Sequence, residues 1–176
     1  MMTGITLILG GSRSGKSRRA EELAAASSLP VSYVATCDTS LMDDEMRARV
    51  GQHRGRRPAE WRTIEDRFDL TSVLGEQRGR LLLIDCLTLW LAWQHTRQRA
   101  EEETLRELEA VLAAASHHAS GVILVSNELG MGTVPTSSET RGFRDLCGRA
   151  NQLAASRATR VEFMIAGLPM VLKGGA

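Results

Sequence analysis

The segment Gly10-Gly11-Ser12-Arg13-Ser14-Gly15-Lys16-Ser17 contains the residue types needed to hold a chain of phosphates. Its spacing, G-x-x-x-x-G-K-[ST], lets the backbone curl so that successive N–H groups point inward at an anion. A helix starting near Lys16 would add its positive end. Lys16 would then act as a point charge on the β/γ-phosphates, and Ser17 would offer a hydroxyl to Mg²⁺. A site of this kind needs a carboxylate at the end of another strand. Leu81-Leu82-Leu83-Ile84-Asp85 supplies one. Asp85 can be read as a magnesium-side carboxylate or as a helix N-cap, and its position beside a phosphate loop favours the first.

A second cluster begins at His53. Arg54, Arg56 and Arg57 follow it closely, with Gly55 between them. Guanidiniums at this density suit phosphate oxygens. A histidine among cations is held neutral, because the imidazolium is repelled, and a neutral imidazole is a nucleophile near pH 7. Spacing alone favours a solvated basic loop at a helix end with a bystander histidine.

These groups need a scaffold. Ile5–Leu9 is a short apolar run stopped by glycines, which reads as a buried strand, and Ser17–Ala26 reads as a helix. Val31–Ala35, Trp61–Ile64, Leu81–Ile84, Gly121–Val125, Val161–Ile165 and Met170–Leu172 read as further strands. Asp43–His53, Ala100–Ala115 and Gly142–Ala158 read as helices, with Arg54–Pro58 as a basic loop and Gly130–Pro135 as a glycine-rich one. Apolar strands alternating with helices predict an α/β fold: a P-loop NTPase-like, mostly parallel sheet with helices on both faces. Ligands then bind beyond the carboxyl ends of the strands. Gly10–Ser17, Thr36, Asp85 and Asn127-Glu128 all fall there. Asn127 and Glu128 could touch substrate or fix a loop. His117 and His118 are expected at a helix C-terminus, where cations are favoured.

The composition bounds the alternatives. One domain over residues 1–176 is expected from the length. A net charge of +1 gives no global attraction to nucleic acid or acidic membranes, and aromatics make up only 4%, too few for a base-stacking surface. This argues against a nucleic-acid-dependent ATPase. Cys37, Cys86 and Cys147 lack metal or disulfide spacing and read as buried hydrophobes of a reducing compartment. With no leader pattern and no span-length apolar run, a cytoplasmic location is expected.

The ordered motifs resemble the adenosylcobinamide kinase / adenosylcobinamide-phosphate guanylyltransferase family along nearly the whole chain. The matching residues are Gly10–Ser17, Tyr33-Val34-Ala35-Thr36, Asp43-Asp44-Glu45-Met46, His53 ahead of Arg57-Pro58, and Trp61-Arg62-Thr63. Asp85-Cys86-Leu87-Thr88, Ser126–Gly132 with Val134-Pro135, Phe143-Arg144-Asp145 and Gly148-Arg149-x-Asn151-Gln152 complete the set. The resemblance implies a two-step enzyme of cobalamin biosynthesis. It phosphorylates adenosylcobinamide, then takes GMP from GTP onto a histidine and passes it to the phosphorylated corrinoid.

By the same resemblance, His53 is the nucleophile, Arg54 to Arg57 contact nucleotide, and Glu65 and Asp85 are nucleotide- or magnesium-side carboxylates; Thr36, from its place at a strand end, is a further candidate for nucleotide binding. Mg²⁺ is implied as cofactor, GTP and ATP as co-substrates, and a homo-oligomer, a trimer, as the assembly. Two positions depart from the family pattern: Gln52-His53 replaces a histidine pair, and Asp85 can be Glu in relatives. A single-activity P-loop small-molecule kinase is the alternative. Trp90 and Trp93, three apart, read as core or subunit contact in preference to a corrinoid platform.

Overall fold

The computed structural model describes residues 3–175, with backbone only at Leu41, Met46, Arg49, Gln52, His53 and Arg56. Seven strands form one sheet in the order β3-β2-β4-β5-β1-β6-β7. They are β1 (Ile5–Gly10), β2 (Val31–Ala35), β3 (Arg62–Ile64), β4 (Leu81–Asp85), β5 (Val122–Asn127), β6 (Arg160–Ile165) and β7 (Leu168–Lys173). All pair in parallel except β7, which folds back antiparallel on β6. The helices are α1 (Lys16–Ala25), α2 (Asp44–Arg56), α3 (Leu70–Glu76), α4 (Leu87–Thr96), α5 (Glu101–Ser116) and α6 (Ser138–Arg157).

The central strands are buried on both sides, which explains why they read as unbroken apolar runs rather than alternating ones. Alternate residues still serve different layers. Leu7, Val34, Leu82, Ile84 and Leu124 pack with α3 to α6, whereas Ile8, Tyr33, Leu83, Ile123 and Met164 pack with Ala20 and Ala24 of α1. The mostly parallel, two-faced α/β sheet expected from the sequence is therefore present.

Several boundaries differ from the sequence reading. The basic stretch is no loop: α2 runs on through Arg54, Gly55 and Arg56. Pro58, which disfavours helical backbone at the residue before it, is the stronger terminator, and Gly51 costs only about 1 kcal/mol inside a helix. Helix α6 starts at Ser138, where the Ser137 hydroxyl accepts from the Thr140 N–H at 3.4 Å, a turn before the expected Gly142. Helix α3 was not expected. Asp69 caps it through the Ser72 N–H at 3.0 Å, while Leu70, Val73 and Leu74 reach the core. His117 does sit at the C-cap of α5, but His118 is buried, and desolvation lowers its pKa. It is a neutral residue and not a helix-end cation.

One buried charge ties the sheet to the helix after the phosphate loop. Glu162 on β6 has a fully buried side chain. Arg19 of α1 donates to it twice, at 2.8 and 3.0 Å, and Arg160 donates at 2.9 Å. The hydrogen bond from Arg19, with help from Arg160, holds the carboxyl below its ordinary range against the opposing push of burial. Removing one member of such a buried set typically costs about 3 kcal/mol. Glu162→Gln is therefore expected to lower the melting temperature by roughly 6–12 °C at neutral pH. Because the native pKa is depressed, this stabilisation is present above the ordinary carboxylate range and is lost as pH falls through the native value. Melting curves of both proteins should converge in acid; a constant gap at every pH would contradict the tether.

Candidate functional site

The P-loop leaves β1 at Gly10 and enters α1 at Lys16. Gly15 caps the helix with φ 95°, a left-handed conformation that favours glycine. The Lys16 ammonium folds back to donate to the Gly11 carbonyl at 2.9 Å. The loop is braced from outside: Gly167, in the β6–β7 turn, donates its N–H to the Ser14 carbonyl at 3.0 Å.

Ser12, Lys16 and Ser17 line a cavity of about 270 Å³ at the carboxyl edge of the sheet. Asp85, Arg57 and Glu65 line it too, so the structure brings the phosphate loop, the strand-end carboxylate and part of the basic segment together. Asn127 completes the edge from β5.

Tyr33 organises the centre, and motif matching gave it no role. Its side chain is buried beneath the cavity. The hydroxyl donates to Asp85 Oδ2 at 2.7 Å, fixing the carboxylate's rotation. The ring lies under the Arg57 guanidinium, 3.5 Å from its centroid. Nε and Nη1 of Arg57 are buried and find no acceptor among the described residues. Asp85 does not cap α4; Cys86 holds that position.

The remaining residues separate by role. Thr36 is fully buried and does not line the cavity. Its hydroxyl donates to the Cys86 carbonyl at 2.6 Å and accepts the Cys86 N–H at 2.7 Å, bracing the end of β4. Arg54 is exposed and donates to Glu65 at 2.6 Å, which positions that cavity-lining carboxylate. Gly55 is exposed on α2. The side chains of His53 and Arg56 lie outside the described residues. Glu128 accepts the Gly130 N–H, a loop-fixing contact. Asn127 is fixed through its backbone by Thr88 at 2.8 Å and Asn151 at 3.0 Å.

A hydroxyl and one carboxylate beside a phosphate loop fit Mg²⁺, which keeps several waters and takes phosphate oxygens as ligands. Among the described residues no group of three His, Cys, Asp or Glu forms a dedicated metal cage. Ser17 and Asp85 are the residues that would hold the ion. Burial pushes the Cys86 thiol up to about 12, with Asp85 adding to it, so it is a poor nucleophile.

The model of the family described as cobinamide kinase / cobinamide phosphate guanyltransferase matches residues 6–172. The chain is 48% identical over 173 residues to the bifunctional adenosylcobalamin biosynthesis protein CobP of Pseudomonas aeruginosa, with 96% of each chain covered. It is 36% identical over 183 residues to the bifunctional adenosylcobalamin biosynthesis protein CobU of Escherichia coli, covering 95% of this chain and 98% of that one. Among solved structures, a prototypical ATPase of the type III secretion system of pathogenic bacteria superposes with TM-score 0.61 at 13% identity, over 96% of this chain and 56% of that one. A Pyrococcus horikoshii OT3 protein superposes with TM-score 0.63 at 10% identity, over 100% and 89%. These structural likenesses establish the P-loop NTPase-like fold.

Tyr33 is the only tyrosine in the chain, so its titration can be followed by phenolate absorbance. Burial, and then the Asp85 charge, raise its pKa far above the ordinary value near 10. No phenolate should form in the folded protein up to about pH 11, and it should appear only together with unfolding. The raised value contributes stability that is fully present below about pH 10 and is lost as pH rises further. A phenolate signal near pH 10 with the fold intact would contradict the buried Tyr33–Asp85 contact.

Proposed function

The chain belongs to the cobinamide kinase / cobinamide phosphate guanyltransferase family, and we propose that its two transfers share the one cavity through a guanylyl-histidine at His53. It is a bifunctional enzyme: a cobinamide kinase and a guanyltransferase. The observation that carries the shared-cavity reading is the meeting of Lys16, Ser17 and Asp85 with Arg57 and Glu65 around one space.

In the kinase step the acceptor hydroxyl of adenosylcobinamide attacks the γ-phosphorus of ATP or GTP. An O–P bond forms, the bond to the β-phosphate oxygen breaks, and the hydroxyl proton passes to solvent. The P-loop N–H groups and Lys16 hold the growing charge on the leaving nucleoside diphosphate. Mg²⁺ bound by Ser17 and Asp85 would neutralise phosphate charge. In the second step the His53 imidazole attacks the α-phosphorus of GTP, and pyrophosphate leaves. A phosphate oxygen of adenosylcobinamide phosphate then attacks the guanylyl phosphorus. The N–P bond breaks and adenosyl-GDP-cobinamide forms.

Support for position 53 comes from the helix. Val50 and Arg57 both line the cavity, and 53 lies three residues after the first and four before the second. Positions 50 and 53 lie within α2, and Arg57 follows directly after its last residue, Arg56. Arg57, with its two unpartnered donors, suits the charge that leaves as pyrophosphate.

The same reading takes residues 1–176 as one P-loop domain working in the cytoplasm on small molecules, with no nucleic-acid partner. Among the described residues no helix is long and apolar enough to cross a membrane. A homo-oligomer, a trimer, is implied by the family resemblance, and β7 offers a surface for self-association. This edge strand exposes Leu168, Met170, Val171 and Leu172, and such edges favour pairing or burial.

Lys16→Ala is expected to cut both transfers by about 10²–10³, the usual effect of losing one preorganised electrostatic contact. Steady-state rates on a variant with an unchanged melting curve test this, and a wild-type rate would refute the loop's role. His53→Ala should abolish the covalent GMP adduct, read by intact mass after incubation with GTP and Mg²⁺, while sparing much of the kinase rate. The adduct should be acid-labile and base-stable, as a phosphoramidate is, and should form more slowly as pH falls and the imidazole protonates. An adduct that persists in His53→Ala would move the nucleophile elsewhere and leave the kinase assignment standing.

A further inference from the structure

Leu89, Ala92, Trp93 and Thr96 recur along α4 at the spacing of a single helical stripe. The three apolar members are only half-buried. Together they make one wall of a groove of about 190 Å³, whose other wall is the segment from Cys37 to Asp43. The groove is continuous with the nucleotide cavity, because Cys37, Met42 and Leu89 line both. Leu89 lies four residues after Asp85, so the junction falls near the carboxylate of the reaction centre.

Trp93 gives the groove a rigid aromatic wall. Its ring is stacked on Phe68, 4.2 Å between centroids and 5° from parallel, and the Arg97 guanidinium lies 4.3 Å from its centroid. The indole is thus rigidly held. Its buried N–H nevertheless has no acceptor among the described residues. That N–H has no exposed surface, so what the ring offers the groove is rigid apolar contact.

We propose that this groove is the corrinoid acceptor site, receiving the edge of the macrocycle while the hydroxyl-bearing arm enters the nucleotide cavity. The inference rests on the two-step reading above. A corrin ring fringed with carboxamides cannot share about 270 Å³ with a nucleotide. Only the arm has to reach phosphorus, so the ring needs a surface outside the cavity and continuous with it. The α4 stripe offers apolar contact for the ring edge. The Asp38 carboxylate on the opposite wall meets a carboxamide N–H. One site serves both steps, since the substrate of the second is the phosphorylated product of the first.

The test uses two variants of the full enzyme, each checked for an unchanged melting curve. Ala92→Phe fills the groove, and Trp93→Phe keeps an aromatic ring while shrinking the wall it presents. The expected result for Ala92→Phe is a rise of about tenfold in KM for adenosylcobinamide, and for Trp93→Phe a rise of severalfold. KM for GTP, and the amount of GMP adduct formed from GTP without corrinoid, should match wild type in both. An unchanged corrinoid KM in Ala92→Phe overturns the assignment. A parallel loss of GTP binding or of adduct also overturns it, by showing that the groove belongs to the nucleotide. A wild-type enzyme that turned over no corrinoid would instead remove the two-step reading on which the site rests.

Discussion

The site hangs from the turn between β1 and α1, and that turn requires empty space at Gly10. A Cβ there would meet Ser14 Oγ at 2.5 Å and the Met164 carbonyl oxygen at 2.9 Å. Both neighbours belong to the local design: Ser14 is in the loop, and Met164 is the register partner of Gly10 on β6. The loop can therefore close down against β6 only with glycine at its start. The same strand carries Glu162, which grips Arg19 three residues past Lys16. One strand thus fixes both the loop and the first turn of the helix that follows it.

A second dependence runs through Tyr33. Its hydroxyl orients Asp85 and its ring supports Arg57, so a single rigid side chain sets the distance between the carboxylate and guanidinium stations of the cavity. Arg54 contributes less directly, by holding Glu65 at the far end.

The asymmetry of the sheet's cover gives these contacts their opening. Helices α3 to α6 bury one face, while the opposite core is built on α1 with Trp61 and Leu89 at its margin. Tyr33 belongs to that second face, and above it the cavity and the groove along α4 meet. The partial exposure of Leu89, Ala92 and Trp93 follows from this position. They lie on the side of α4 away from Trp90 and Leu91, which are fully buried.

The sequence by itself determined the scaffold and the chemistry of its edge. The P-loop spacing, the apolar run ending in Asp85 and the doubly buried strands were all legible, because each is a local pattern imposed by a backbone requirement or by burial on two faces. Helix ends were less legible. Pro58 outweighed Gly51 in ending α2, and α3 is too short for its three apolar residues to stand out. Only the tertiary structure decided who touches whom. Thr36 reads as a ligand-edge residue, but parallel pairing of β2 with β4 turns its hydroxyl onto Cys86. Nothing near Tyr33 in sequence announces Asp85 or Arg57, and nothing near Arg19 announces Glu162, 143 residues away. Such contacts join elements distant along the chain, and their geometry is set by sheet order and helix placement, which no local spacing encodes.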